Sequence, residues 1–253
     1  MNGFAVFARK ETQEIWRTWR RWVLPSILAF FALTGPPLAR YTPEIVKAFA
    51  GDQLGGIAIP TPTYLDAYAQ WSKNLTQIAL FALIIIYGGI VSAERRSGTA
   101  VLVLTKPVLR SAFVVVKALV NAAFVAVLLV AGTLVTWAMT AAMFGTAPAS
   151  ALWSSALVWL VLAAQFIALM TLFSVMIPSA AGAAGAGLGV YALASIASIW
   201  KPLGSYSPAG LPTQATTLAA GAVAHPLWPV VTSIALSVAL VALAAALFRR
   251  QEL

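Results

Sequence analysis

Six charged side chains stand close together in a chain that otherwise avoids charge. In "SAERRSGTAVLVLTKPVLRSAFVVVK", Ser92 to Lys117, they are Glu94, Arg95, Arg96, Lys106, Arg110 and Lys117. Apolar walls flank the stretch, "LFALIIIYGGIV" before it and "AAFVAVLLVAGTLV" beyond. One acid among five bases, with no histidine, cysteine or paired carboxylate, does not make a general acid–base pair or a nucleophile with its base. What the stretch offers is docking chemistry. Glu94-Arg95-Arg96 ends an apolar run, Gly98-Thr99 interrupts it, "AVLVL" forms a short apolar segment, and Pro107 stops that segment. A simple loop would be polar throughout. An apolar helix framed by charge fits a groove on a soluble partner, or it lies flat on lipid.

The rest of the chain narrows the chemistry further. Ionisable groups at membrane depth are costly and mark proton relays and ion sites. The apolar runs, trimmed of their ends, contain no Asp, Glu, Lys, Arg or His. That argues against a proton-driven carrier, an intramembrane aspartyl or metal-dependent protease, and a serine protease with a base at depth. The one histidine, His225, stands alone, so no His-ligated zinc cluster is expected. "GAGLG" (185–189) has the wrong glycine spacing and follows no strand, so it is no dinucleotide fingerprint, and no G-x-x-x-x-G-K-[ST] phosphate loop occurs. We expect no catalytic residue and no metal in this chain. A transporter of this composition is passive or is driven through a partner.

The elements that position the polar stretch follow from hydropathy. The 253 residues are 61% hydrophobic and 9% charged, too few charges to cover a globular surface. Six runs approach the ~20 residues that span a bilayer as a helix: Trp22–Leu38, Leu75–Ala93, a run within Ala112–Phe144, Ala151–Ile177, Ala180–Trp200 and Leu227–Phe248. The first is followed by "TGPPLARYTPE", not a small-residue cleavage site, and reads as a retained span. Without cysteine, disulfide and thiol chemistry are excluded. The net charge of +9 flanks apolar runs instead of forming one basic face, which argues against nucleic acid. Twelve of the sixteen Lys and Arg fall on the side shared by the N-terminus, the stretch after the second run and the C-terminus. The positive-inside bias places that side in the cytoplasm.

Between the runs, "FAVFARKETQEIWRTWRRW" (4–22) spaces Phe4, Phe7, Ile15, Trp19 and Trp22 at helical intervals, with Lys10, Glu14, Arg17 and Arg21 on another face. It reads as a helix lying in the membrane interface or as a helical extension of the first span. Residues 40–73 form the main outer loop, ending in a helix that runs into the second span, with Asp66 and Lys73 on a solvated face or beside an entry path. Ala181, Gly185 and Gly189 leave one helix face bare, which permits close approach of another helix within the subunit or across a dimer seam. Residues 201–228, punctuated by Pro202, Pro208, Pro212 and Pro226, are too apolar for a free loop and too interrupted for a span. A re-entrant hairpin or a short outer-face helix held against protein is expected over 201–226.

The stretch "ERRSGTAVLVLTKPVLRSAFVVVK" resembles the first cytoplasmic loop of ABC-2 type permeases. Glu94, Gly98, Thr99, Pro107, Val108, Arg110 and Lys117 match that loop in order and spacing; Arg95-Arg96-Ser97 depart from it, where many members carry further acid. With six spans and an N-terminal helix the resemblance covers residues 1–253. It implies an all-α integral membrane fold: six transmembrane helices, an interfacial amphipathic helix over 1–21, and a coupling loop over 94–110 holding a short cytoplasmic coupling helix between spans two and three. It implies a non-enzymatic permease subunit of a bacterial cytoplasmic-membrane ABC exporter. Two copies would pair with two separate ATPase subunits that bind ATP and Mg²⁺, and this chain itself would bind no cofactor. ATPase contact falls to Glu94, Arg95, Arg96, Gly98, Thr99, Val101, Leu102 and Arg110, and the second and fifth spans would line the cavity and seam. The apolar interior favours a hydrophobic or amphipathic small molecule, such as a drug, antibiotic, peptide or lipid-like compound. A passive channel or scaffold, working without nucleotide, is the competing reading.

Overall fold

The computed structural model describes residues 3–50, 60–98 and 110–250. Helix α1 (Gly3–Arg17) is followed after a two-residue break by α2 (Arg20–Ala50). Then come α3 (Tyr64–Asn74), a π-helical turn (Leu75–Ala79), α4 (Leu80–Tyr87) and the short α5 (Ser92–Arg96), which together form one crossing. Next are α6 (Arg110–Phe144), α7 (Ala149–Met176) and α8 (Ala180–Ala197). Two short helices, α9 (Lys201–Tyr206) and α10 (Leu211–Ala219), precede the last, α11 (Leu227–Arg250). No strand occurs among the described residues. Six helical segments are long and apolar enough to cross a membrane, at Arg20–Phe49, Tyr64–Arg96, Ser111–Phe144, Ala149–Met176, Ala180–Ala197 and Leu227–Arg250. The fold is all-α and integral to the membrane.

The core gathers on α7, against which α4, α6, α8, α10 and α11 all pack. Its largest enclosed side chains are Trp71, Trp159, Tyr68 and Tyr87. Where helices approach most closely, glycine decides the distance. A Cβ on Gly88 would stand 2.5 Å from the Ala180 carbonyl oxygen, and one on Gly132 would stand 2.8 Å from the Trp71 ring. Phe30, Leu193, Ile196, Ile199 and Val238 are exposed, as lipid-facing side chains of a membrane bundle are.

Two boundaries differ from the sequence reading. The first span was expected to end at Leu38, before Pro43 and the outer loop. Instead α2 continues to Ala50 through Pro36, Pro37 and Pro43. Prolines inside a helix remove backbone donors, but the extension is held from outside. Arg40 donates a hydrogen bond to the Met143 carbonyl and lies 5.5 Å from the Phe144 ring, at the C-terminal end of α6. A cation at that negative helix end is stabilising. Lys117 was expected in the polar loop before the third span. It lies two turns inside α6 and is fully enclosed.

The segment after the fifth span resolves into α9, a 3₁₀ turn (Pro208–Gly210) and α10. α10 seats on α7 and α3. Asp66 belongs to helix initiation: its carboxylate accepts from the Thr63 N–H and hydroxyl at 2.7 and 2.9 Å, an arrangement that satisfies free donors at a helix start.

Candidate coupling site where the second and third spans meet the N-terminal helix

α1 is no free anchor on the membrane surface. Phe7, Glu11 and Ile15, four residues apart, form its buried stripe, and that stripe packs on α6. Within it Glu11 is as enclosed as its apolar neighbours. A buried carboxylate requires a counter-charge, and α6 supplies it. The Lys117 ammonium donates to both oxygens of Glu11 at 2.9 Å and also to Glu94 Oε1. Lys10 donates to the same Glu94 oxygen at 3.0 Å and to Glu14. Three carboxylates therefore share two ammonium groups, and one cluster joins α1, the end of the second span and the start of the third.

The site has an aromatic floor. Phe7 and Phe113 rings lie 5.2 Å apart, and Phe113 stacks on Phe248 of α11 at 5.2 Å and 8°. Lys10 lies 5.5 Å from the Phe7 ring and Lys117 lies 5.3 Å from the Phe113 ring. Around Lys117 and Glu11 the apolar walls keep water out and strengthen the ionic contact. On α1, burial alone would lower the Lys10 pKa, but the Glu14 hydrogen bond and the Glu94 carboxylate outweigh it and raise it above the ordinary lysine value. Burial works to raise the Glu14 carboxyl. The Lys117 charge and the Lys10 hydrogen bond override that and hold it below the ordinary carboxylate value.

A second set of contacts fixes α5 beside the cluster. The crossing breaks after Tyr87, and the buried N–H groups of Val91 and Ser92 both donate to the Ser174 hydroxyl at 2.9 Å. Arg95 donates to the Val175 carbonyl at 3.1 Å, at the C-terminal end of α7. Gly98, with φ of +71°, then turns the chain away in a conformation that favours glycine.

The structure divides the residues singled out for ATPase contact. Glu94 and Arg95, both assigned to ATPase contact by the resemblance, turn to partners within the subunit, Glu94 to the cluster and Arg95 to α7. Arg96 and Gly98 are exposed. Thr99, Val101 and Leu102, and with them the expected coupling helix, lie outside the described residues, as does the Arg110 side chain. Ala181, Gly185 and Gly189 are all exposed, and a Cβ on Gly185 or Gly189 would meet nothing within 4 Å. Contact with the rest of the subunit falls to Ala183, Ala184 and Gly187 on the opposite side of α8. Sequence reading missed Glu11 as a functional candidate. Its signal was available: an acid midway between Phe7 and Ile15 on the apolar stripe.

Six helical segments long and apolar enough to cross a membrane, with an N-terminal helix packed on the bundle, define a multi-pass membrane protein. The chain belongs to the ABC-2 family of transporter proteins, whose family model matches residues 5–253. It is thus the transmembrane permease subunit of an ATP-binding cassette transporter, a non-enzymatic component in a family that works with an ABC ATPase subunit. No curated protein matches it.

Proposed function

We propose that two copies of this permease, with two ATPase subunits binding ATP and Mg²⁺, export a hydrophobic or amphipathic small molecule across a bacterial cytoplasmic membrane. Both termini and the 94–110 stretch then face the cytoplasm, in keeping with twelve of sixteen basic residues on that side. The observation that supports this reading best is the Glu11–Lys117–Glu94 cluster. It ties the last turn before the coupling stretch and the first turns after it to α1. A push on the coupling stretch therefore moves α1, the second span and the third span together. Buried ion pairs suit that task because they permit few alternative geometries. Within such a dimer the open face of Gly185 and Gly189 is our candidate seam.

The decisive variant is Leu102→Asp. A carboxylate placed in an apolar docking groove is left unpaired and should abolish docking. The variant is expected at normal membrane levels, with the ATPase partner no longer co-purifying and substrate-stimulated hydrolysis lost. Full partner binding with full coupled hydrolysis would overturn the proposal. Transport by the permease alone, unaffected by nucleotide, would establish the passive channel instead.

A further inference from the structure

The basic face of α1 and the seam between α2 and α6 lead into one another. A cavity of about 550 Å³ opens between α1, α2 and α6, with Ile15, Val120 and Phe124 among its apolar walls and Trp16 and Arg21 also lining it. It shares Pro25 and Leu128 with a second cavity of about 240 Å³, which follows the same seam to Leu33 and Val135 and has an almost wholly apolar lining. It shares Thr12 and Trp16 with a third, which adds Arg9 and Arg17. Pro25 lies on the seam, where it can give no hydrogen bond to the Arg21 carbonyl and keeps the helix from closing tightly. The result is a trough with a basic mouth and a long apolar floor.

Its depth in the membrane is set by aromatic side chains. Trp16 lines the mouth, and Trp19 and Trp22, a few residues on in the chain, are exposed with it, as the side chains of an interfacial aromatic belt are. From Arg21 to Leu33 a helix rises about 18 Å, and from Val120 to Val135 about 22 Å. One leaflet contributes about 15 Å of hydrocarbon, half of the core. The trough thus runs from headgroup level to the middle of the bilayer. Among the described residues no carboxylate pairs with Arg9, Arg17 or Arg21; every ion pair is made by Lys10 or Lys117. Arg21 only lies over the Trp22 ring, at 5.0 Å.

We propose that this trough is a binding site for one anionic phospholipid of the leaflet on the N-terminal side. An acyl chain occupies the seam, and the phosphate sits between Arg17 and Arg21. Two arguments favour a lipid over other occupants. The seam cavity of about 240 Å³ holds less than one turn of a helix 10–12 Å across and suits a single chain. Arginine forks without counter-ions match a phosphate in both charge and geometry. Anionic lipid would then brace α1, whose other face holds the ion cluster, against the first and third spans. This inference is independent of the ATPase pairing and of the export direction.

The test uses the full chain in nanodiscs and probes of matched acyl composition, phosphatidylglycerol and phosphatidylcholine, with retained lipid read by native mass spectrometry. Wild type is expected to retain one phosphatidylglycerol with a preference of about tenfold over phosphatidylcholine, the factor carried by one charge-assisted contact. The Arg17→Gln/Arg21→Gln double variant should lose that preference while retaining phosphatidylcholine as before. The Arg17→Lys/Arg21→Lys double variant, with its charge kept, should recover most of it. Ala123→Trp, which fills the trough while keeping both arginines in the chain, should lower retention of both lipids with unchanged helix content. Equal retention of both lipids by wild type would overturn the proposal. So would a glutamine variant that kept the preference, or an Ala123→Trp variant that retained lipid normally. Stoichiometric displacement of phosphatidylglycerol by a transported amphipathic compound would assign the trough to cargo and refute the lipid.

Discussion

At the residue scale, Lys117 and Glu11 carry the sharpest consequence. Both are fully enclosed, and removing Lys117 leaves the buried Glu11 carboxylate with only the Lys10 ammonium, 3.9 Å away, a change that costs about 3–5 kcal/mol. Lys117→Met is expected to lower stability in detergent by that amount, and adding Glu11→Gln should restore a large part of it. A Lys117→Met protein as stable as wild type would show that the pair does not hold α1. The rim of the cluster adds a pH dependence. Glu14 faces Lys10, Lys117 and Glu94, and its carboxyl pKa in the folded chain is below the ordinary 4.5. Its contribution is therefore complete above pH 4.5 and lost as pH falls through the lower folded value. Lys10 has the opposite sign: its pKa is raised above 10.5, so its share is complete below that pH and lost at still higher pH. Protection of α1 against hydrogen exchange, taken relative to the intrinsic rate at each pH, should stay constant through the neutral range and fall only at the two extremes. Loss of protection near pH 7 would contradict this.

At the element scale, the two sides of α8 answer different questions. Gly88 and Gly187 set distances inside the subunit, whereas Gly185 and Gly189 face open space. Gly88→Ala would drive a methyl against the Ala180 backbone carbonyl, 2.5 Å away, which cannot yield as a flexible side chain would. The expected cost is about 1–3 kcal/mol. The Cβ of Gly189→Leu would meet nothing within 4 Å on an exposed face, and the variant should leave the subunit within about 0.5 kcal/mol of the parent. Any effect of Gly189→Leu should fall on the dimer instead, read by cross-linking or mass photometry in detergent. If Gly189→Leu unfolded the subunit while Gly88→Ala did not, both packing assignments would be wrong. Glycine spacing announced a bare face on α8. It could not say which neighbour the face was kept for.

At the scale of the whole molecule, the six crossings fix an alternation that labelling can read. Single cysteines replacing Arg96 and Ala222, both exposed and at opposite ends of the bundle, should react with impermeant reagent from opposite sides of the membrane. With the N-terminal side in the cytoplasm, the Arg96 position reacts only after permeabilisation and the Ala222 position reacts in intact cells. Labelling of both from one side would defeat the topology; reversal of the two would defeat only the orientation.

Much of this was legible in the order of residues. Runs of ~20 apolar side chains have one solution in a bilayer, because a helix alone satisfies its own backbone in hydrocarbon. The count of spans, the all-α class and the absence of ionisable groups deep in the spans therefore followed from hydropathy. So did the polar stretch from Ser92 to Lys117 as an island of charge between the second and third spans. What sequence could not reveal were pairings between residues far apart in the chain. Glu11 and Lys117 are separated by 106 positions, and Arg40 reaches Met143 across 103. Each looked like an interfacial charge, because local pattern records charge and spacing but not the partner that makes burial tolerable. Four prolines in α2 argued locally for an early stop, and the C-terminal end of α6 overruled them. Hydrophobic pattern is a property of one helix at a time. The ion cluster, the long first span and the basic-mouthed trough exist only where helices meet, and tertiary packing alone decided them.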